Sequence, residues 1–295
     1  MKIKESFGRK IFIVINYVVL ALLAFACAAP VIHTFASSFS DPVALAKNHS
    51  ILFWPAGQPT LKGYEIVLQN KSIWSGYYNT IIYVAAGTAL GILSTTVAAY
   101  IFSRKYFLPG NFCMLAISFT MLFSGGLVPS YILMNEINLL NTRWVMILPT
   151  AINVFNLIVL RTAFQAIPES LEESAKLDGA GDMYILFRIF VPLSKATIAV
   201  IILFIAVFHW NSWFQAAIYL NKRKLYPLPL ILREILMQGN SNLTNASSDI
   251  ASSYSLYNSL IQYSTIVVSV VPILCIYPLL QKHFTKGVMI GAVKG

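Results

Sequence analysis

Charge is the first thing this sequence is short of. Only 11% of its 295 residues are Asp, Glu, Lys or Arg, against roughly a quarter in a soluble domain. Acidic residues are the scarcest, 11 against 21 basic ones. So few polar side chains cannot coat a water-facing surface, which excludes an ordinary soluble globule. Cysteine is nearly absent too. Cys27, Cys113 and Cys275 lie far apart in apolar stretches, with neither zinc spacing nor a disulfide framework. They read as small apolar side chains. His33, His49, His209 and His283 are scattered and suggest no metal site. The sequence has no G-x-x-x-x-G-K-[ST] phosphate loop, and no nucleophile–base pairing marks a membrane enzyme.

Apolar residues are abundant instead, at 57% of the chain with a mean hydropathy of +0.70. A helix needs about 20 of them to cross ~30 Å of hydrocarbon. Six stretches are free of charge: Ile11 to Ser40, Ser72 to Ser103, Tyr106 to Asn135, Trp144 to Leu160, Ala196 to Asn221 and Ile250 to Gln281. They predict an all-α integral membrane protein, one domain over 1–295, with six transmembrane helices. The spans fall near 11–35, 75–103, 108–134, 143–163, 194–214 and 260–282. The short fourth stretch extends toward Arg161, whose long side chain can snorkel. Lys2, Lys4, Arg9 and Lys10 with Ala24-Phe25-Ala26 imitate a signal peptide, but the apolar run is too long, so the first helix is expected to stay uncleaved. Gly87 and Gly91 form a small-xxx-small pair for close helix approach. Pro30, Pro129, Pro149 and Pro272 fall in or near spans, where neighbouring helices can satisfy the freed backbone groups. No acidic or basic residue lies inside a stretch, which argues against a proton- or sodium-coupled secondary transporter.

The net charge of +10 and pI of about 9.5 fit cytoplasmic loops of a membrane protein better than a nucleic-acid binder, since no nucleic-acid motif is present. With the N-terminus inside, 13 of the 21 basic residues fall in cytoplasmic segments. Both termini are therefore expected inside the cell. The Lys222-Arg223-Lys224 cluster then lies outside, against the trend.

The segment from Ile167 to Ser194 interrupts this pattern. Pro168 suits a helix start. Glu169, Glu172 and Glu173 favour the first turns through the helix dipole. Gly179 and Gly181 break the helix, and Asp182 can cap a second one. Met183, Leu186, Phe187 and Phe190 give that second helix an apolar face. Helices this short are marginal alone in water, so they must dock on the bundle or on another protein.

Here the chain resembles a known family. Glu173-Ser174-Ala175, three residues, Gly179, nine residues, Ile189, one residue and Val191-Pro192 match the EAA loop of ABC importer permeases. Ser174 stands for an alanine and Val191 for a leucine. The form LEESAKLDGA is similar to that of maltose-type oligosaccharide importers. Phe123-Ser124-Gly125-Gly126-Leu127-Val128-Pro129, Leu139-Leu140-Asn141-Thr142-Arg143-Trp144 and Lys286-Gly287-Val288-Met289-Ile290-Gly291 resemble a subgroup that handles complex oligosaccharides or polysaccharides.

The resemblance implies a bacterial inner-membrane permease subunit, not itself catalytic, with a cytoplasmic coupling loop at 167–192. It implies a second, similar permease subunit, two ATPase subunits that bind ATP and Mg, and an extracytoplasmic solute-binding protein. The chain itself would hold no cofactor. The coupling role falls on Glu172, Glu173, Ser174, Ala175, Gly179 and Ala180: small side chains allow close approach, and the glutamates can meet basic groups on the ATPase. Asn153, Asn156, His209, Trp210, Asn211 and Trp213 are candidates for a sugar path, as amides hydrogen-bond hydroxyls and aromatic faces stack on sugar rings. Interfacial anchoring by Trp and helix-to-helix bonding by Asn compete with that role. The external segments Asp41 to Lys71 and Lys222 to Asp249 are expected to meet the binding protein. Tyr226-Pro227-Leu228-Pro229-Leu230 is expected either to do so or to lie flat at the interface. A non-sugar solute remains the alternative.

Overall fold

The structure is a computed structural model that describes residues 7–48, 50–123, 125–241 and 257–275, with backbone only for 238–241. The C-terminal motif at 286–291, Ser124, His49 and His283 lie outside the described residues. Every described element is helical. The helices are α1 Phe7–Ser38, α2 Pro42–Lys47, α3 Lys62–Gln69, α4 Lys71–Ser103, α5 Gly110–Leu122, α6 Leu127–Glu136, α7 Val154–Gln165, α8 Glu169–Leu177, α9 Asp182–Ile185, α10 Val191–Leu193, α11 Lys195–Trp210, α12 Trp213–Tyr219, α13 Leu228–Ser241 and α14 Tyr257–Cys275.

Three of these, α1, α4 and α14, are each long and apolar enough to cross a membrane. Three further spans exist only if each bent pair of helices counts as one, giving three to six in all. The third, fourth and fifth stretches expected to span each correspond to such a bent pair. In the third, α5 and α6 meet at 114° where Gly126 takes φ +85, a conformation that side chains disfavour. In the fourth, 3₁₀ turns at Arg143–Met146 and Leu148–Thr150 precede α7 at a bend of 45°. Pro149 lacks an N–H there, and the Asn153 side chain starts a new helix. In the fifth, Asp182–Leu193 and α11 meet at 87°, and α11 ends at Trp210 before α12 begins after a turn.

The chain divides into two units. The first holds, among the described residues, those of 7–71, 234–241 and 257–271. Asp41 caps α2 by accepting from the Val43 and Ala44 amides at 3.0 Å, and Pro42 opens the helix. His33 on α1 bonds the Tyr263 hydroxyl at 3.2 Å and accepts from the Leu52 amide at 3.0 Å. The segment after the first span, expected to meet a binding protein, is thus tied to α1 at Leu52.

The second unit holds residues 72–233 and 272–275 among the described residues. Two apolar clusters form along α4. One joins Tyr100 and Ala99 to Leu157, Leu160, Phe164, Phe190 and Ile201. The other joins Tyr83 to Met134, Val145, Met146, Ala216 and Leu220. Leu228 and Leu230 of the Tyr226–Leu230 segment are buried, and Tyr226 and Pro229 are partly exposed. The segment is held because α4 side chains bond its backbone, as described below.

Candidate coupling surface and solute path

The helix α8 ends in a Schellman turn. Gly179 takes φ +81, its amide bonds the Lys176 carbonyl at 3.0 Å, and the Ala180 amide reaches back to Ala175 at 2.9 Å. The last carbonyls are thus satisfied at a position that only glycine takes without strain. Pro168 sits one place before the helix rather than in its first turn. Asp182 is the first residue of α9, and Gly181 precedes it as a cap without a side chain. Asp182 accepts instead from the Tyr100 and Tyr106 hydroxyls at 3.4 and 3.5 Å.

One face of α8 is bolted to the end of α4. The Arg104 guanidinium pairs with the Glu172 carboxylate, and these side chains are 7% and 9% exposed. Lys176 closes on the other oxygen at 2.8 Å. Arg104 also donates to Ser103 Oγ at 2.9 and 3.1 Å and lies 4.3 Å over the Phe190 ring. Glu172 holds the Lys176 ammonium above the ordinary lysine range. Burial pushes the Tyr106 phenol up, and Asp182 adds to the shift. Outside this pair, Lys105 meets Glu169 at 2.7 Å on the surface.

The six residues assigned to coupling therefore divide by face. Glu173, Ser174 and Gly179 point outward, while Ala175 and Ala180 are half-buried against the bundle. Glu172 faces inward, which corrects the expectation that it meets a partner. Its position on α8 turns it toward Arg104, and a buried carboxylate keeps its charge at much lower cost beside such a cation. The apolar face of the second short helix also differs from expectation. Ile185, Leu186 and Phe190 are buried through a π turn at Leu186–Phe190, whereas Met183 and Phe187 are exposed. The extra residue in a π turn rotates the register, which 3.6-residue periodicity does not anticipate. Leu177, Met183, Tyr184 and Phe187 are exposed apolar groups of the same loop as Glu173. Arg104 was missed as a site residue because in the sequence it is only a cation flanking a span.

The six solute-path candidates also separate. Asn153 and Asn156 line a cleft of about 400 Å³ with Thr150, Phe155, Phe204 and Phe208. Asn153 Oδ1 accepts from the Asn156 amide at 3.1 Å, which caps α7 and fixes its own side chain. His209 lies elsewhere, buried against Gly87, where an added Cβ would come 2.2 Å from Nε2. The close approach anticipated for Gly87 is thus to α11. Asn211 bonds the Val207 carbonyl at 2.9 Å and ends α11. Trp213 packs under the Arg233 guanidinium at 3.9 Å. Trp210 is half-buried, away from the cleft lining. The three phenylalanines were missed because aromatic residues fill every span.

Along α4 these features fall at three levels. Tyr100 and Arg104 contact the coupling loop, and Gly91 packs on Ile205, which lines the cleft. Asn79 and Tyr83 hold the loop after α12. Asn79 to Tyr100 spans ~32 Å at 1.5 Å per residue, close to the ~30 Å hydrocarbon thickness. The coupling loop and the loop after α12 therefore sit at opposite ends of a membrane-spanning helix.

No family model matches the sequence. The polygalacturonan/rhamnogalacturonan transport system permease protein YtcP of Bacillus subtilis (strain 168) is 37% identical over 289 residues, covering 97% of this chain and 99% of the relative. Protein LplC of the same organism is 36% identical over 286 residues, covering 97% and 96%. A crystal structure of a bacterial ABC transporter involved in import of the acidic polysaccharide alginate contains a chain of the same fold. Its TM-score is 0.86 at 30% identity, over 96% of this chain and 100% of that one. With the EAA spacing on a membrane-end loop and these full-length likenesses, the chain belongs to the carbohydrate ABC-transporter permeases, the membrane-spanning and non-catalytic subunits of such transporters.

Proposed function

We propose that this chain is one half of the membrane pathway of a bacterial importer for an oligosaccharide or polysaccharide. A second, similar permease completes the pathway, and an extracytoplasmic binding protein delivers the solute. Two ATPase subunits bind ATP and Mg. The chain sits in the cytoplasmic membrane with both termini inside. The relatives named for rhamnogalacturonan and alginate transport support a saccharide solute, and the cleft with two asparagines and three phenylalanines suits one.

The two-faced loop carries the proposal. Its inner face is held by Arg104 and Glu172, and its outer face offers Glu173, Leu177, Met183 and Phe187. A partner that grips the outer face moves α4 through the inner one. Closure of the ATPase pair on ATP would then rock the bundle between inward- and outward-open states.

Gly179→Val tests this. No atom lies within 4 Å of the Cβ position, so the change strains only the backbone at φ +81. The cost is on the order of 1–2 kcal/mol, enough to misplace the outer face while the spans stay folded. In the reconstituted complex, ATP hydrolysis should continue with transport reduced at least tenfold. Full transport by the variant, or uptake driven by an ion gradient without ATP, refutes the role.

A further inference from the structure

At the end of α4 away from the coupling loop lies a second cavity, of about 440 Å³. It is lined by Asn141, Thr142, Arg143, Lys222, Lys224 and Leu225. Three of the six are cations and none is a carboxylate. Lys222, Lys224 and Arg143 form no ion pair among the described residues. Arg143 keeps its Nε buried without a hydrogen-bond partner.

The cavity is built rather than incidental. Asn79, 1% exposed, donates to the Lys224 and Tyr226 carbonyls at 2.8 and 3.1 Å, and its own oxygen accepts from Arg143 Nη2 at 3.3 Å. The Tyr83 hydroxyl bonds the Leu225 carbonyl at 2.8 Å, and Thr80 accepts from the Leu228 amide at 2.8 Å. The Asn141 amide bonds the Tyr219 carbonyl at 3.1 Å. The backbone of the loop bearing the two lysines is thus held by three residues of α4, and the Asn141 turn holds the chain just before it, whereas a merely solvated charge run needs no such support. Holding the backbone that carries the cations before a ligand arrives lowers the cost of binding it.

Placement sharpens the point. With the coupling loop inside the cell, these cations face outward, where basic residues are disfavoured by insertion. Three cations without a carboxylate partner among the described residues, two of them exposed lysines, favour an anionic occupant of a concavity at that surface. The polar lining suits a sugar. Asn141 Oδ1 is taken by the Asn221 amide, which leaves its Nδ2 to donate. Thr142 Oγ1 donates to the Leu139 carbonyl at 2.7 Å, which leaves its lone pairs to accept. Leu225 is the one apolar lining residue, too little to seat an acyl chain.

We propose that this cavity receives the carboxylate of a uronate residue at the outer mouth, so the transported saccharide is anionic. This deepens the importer reading and rests on it. The two lysines supply point charges, and Arg143 supplies directional donors to a carboxylate.

The test uses the whole permease–ATPase complex in nanodiscs. The probes are trigalacturonate and its carboxyl-reduced, neutral counterpart, each titrated in phosphatidylcholine and in phosphatidylcholine with phosphatidylglycerol. Wild type should prefer the acidic trisaccharide at least about tenfold in both lipids, and Lys222→Gln/Lys224→Gln should erase the preference, as expected for lost charge-assisted hydrogen bonds. Arg143→Lys, which keeps the charge and loses the fork, should lower it by an intermediate amount. A preference that survives in the double lysine variant overturns the site. So does a variant whose sole defect is loss of bound phosphatidylglycerol, which makes it a lipid site. A variant that binds the solute-binding protein more weakly, regardless of cargo, makes it a docking surface and also overturns the proposal. A wild-type complex whose ATPase activity responds to neither trisaccharide with its binding protein overturns the saccharide importer itself, and a response to both with equal affinity overturns the anionic site alone.

Discussion

Removing the Glu172 charge would test whether the coupling loop moves as one piece with α4. In Glu172→Gln, Arg104 keeps Ser103 and the Phe190 face but loses its only carboxylate among the described residues. Lys176 is more exposed and can turn to water. Breaking a buried pair by removing one partner costs about 3–5 kcal/mol. Both side chains are close to fully buried, but the Gln carbonyl can still accept a hydrogen bond from Arg104, so the lower half of that range is expected. Undocking of α8 that is rare in wild type would rise by roughly two orders of magnitude at ~3 kcal/mol, with each 1.4 kcal/mol a factor of ten.

Two readouts follow. Limited proteolysis between residues 166 and 182, in the assembled complex, should accelerate in Glu172→Gln. Transport per ATP hydrolysed should fall, as motion of the loop no longer reaches α4. Arg104→Gln should do less, because Lys176 still holds Glu172. The exchange Arg104→Glu/Glu172→Arg should recover part of the loss, and the double-mutant cycle should give a coupling of at least ~1 kcal/mol. Strictly additive single effects, or unchanged proteolysis and stoichiometry in Glu172→Gln, would refute the latch.

Two further outcomes are expected. Gly87→Ala should lower the melting temperature of the detergent-solubilised complex, because a methyl group 2.2 Å from His209 Nε2 forces a shift worth about 1–3 kcal/mol; adding His209→Ala should restore much of the loss, and no rescue would mean that α4 and α11 do not meet there. The raised Lys176 pKa fixes a pH window. A group whose folded pKa is raised contributes stability that is complete below the unfolded lysine value and is lost as pH rises through the raised one. Proteolysis of the loop, corrected against an unfolded peptide, should therefore be flat from pH 7 to 9 and rise only at more alkaline pH; a transition near neutrality would show that Lys176 is not held by Glu172.

Much of this protein was legible in the order of its residues. Long charge-free runs fix a membrane-embedded helical chain, since hydrocarbon cannot solvate charge or open backbone. Pro168, the early glutamates and Gly179 mark the start and stop of α8, because caps and dipoles are local effects. The EAA spacing marks the family. Tertiary structure alone decided which way each side chain faces and where distant chain segments meet. Arg104 and Glu172 are 68 residues apart, and nothing local pairs them. The π turn rotates Met183 and Phe187 outward, and a one-residue register change is invisible to a periodic pattern. Asn79 reaches a loop 145 residues away to organise the cationic cavity. Local sequence sets where helices begin and end, but burial and ion pairing depend on long-range packing, which brings together groups that the chain itself keeps far apart.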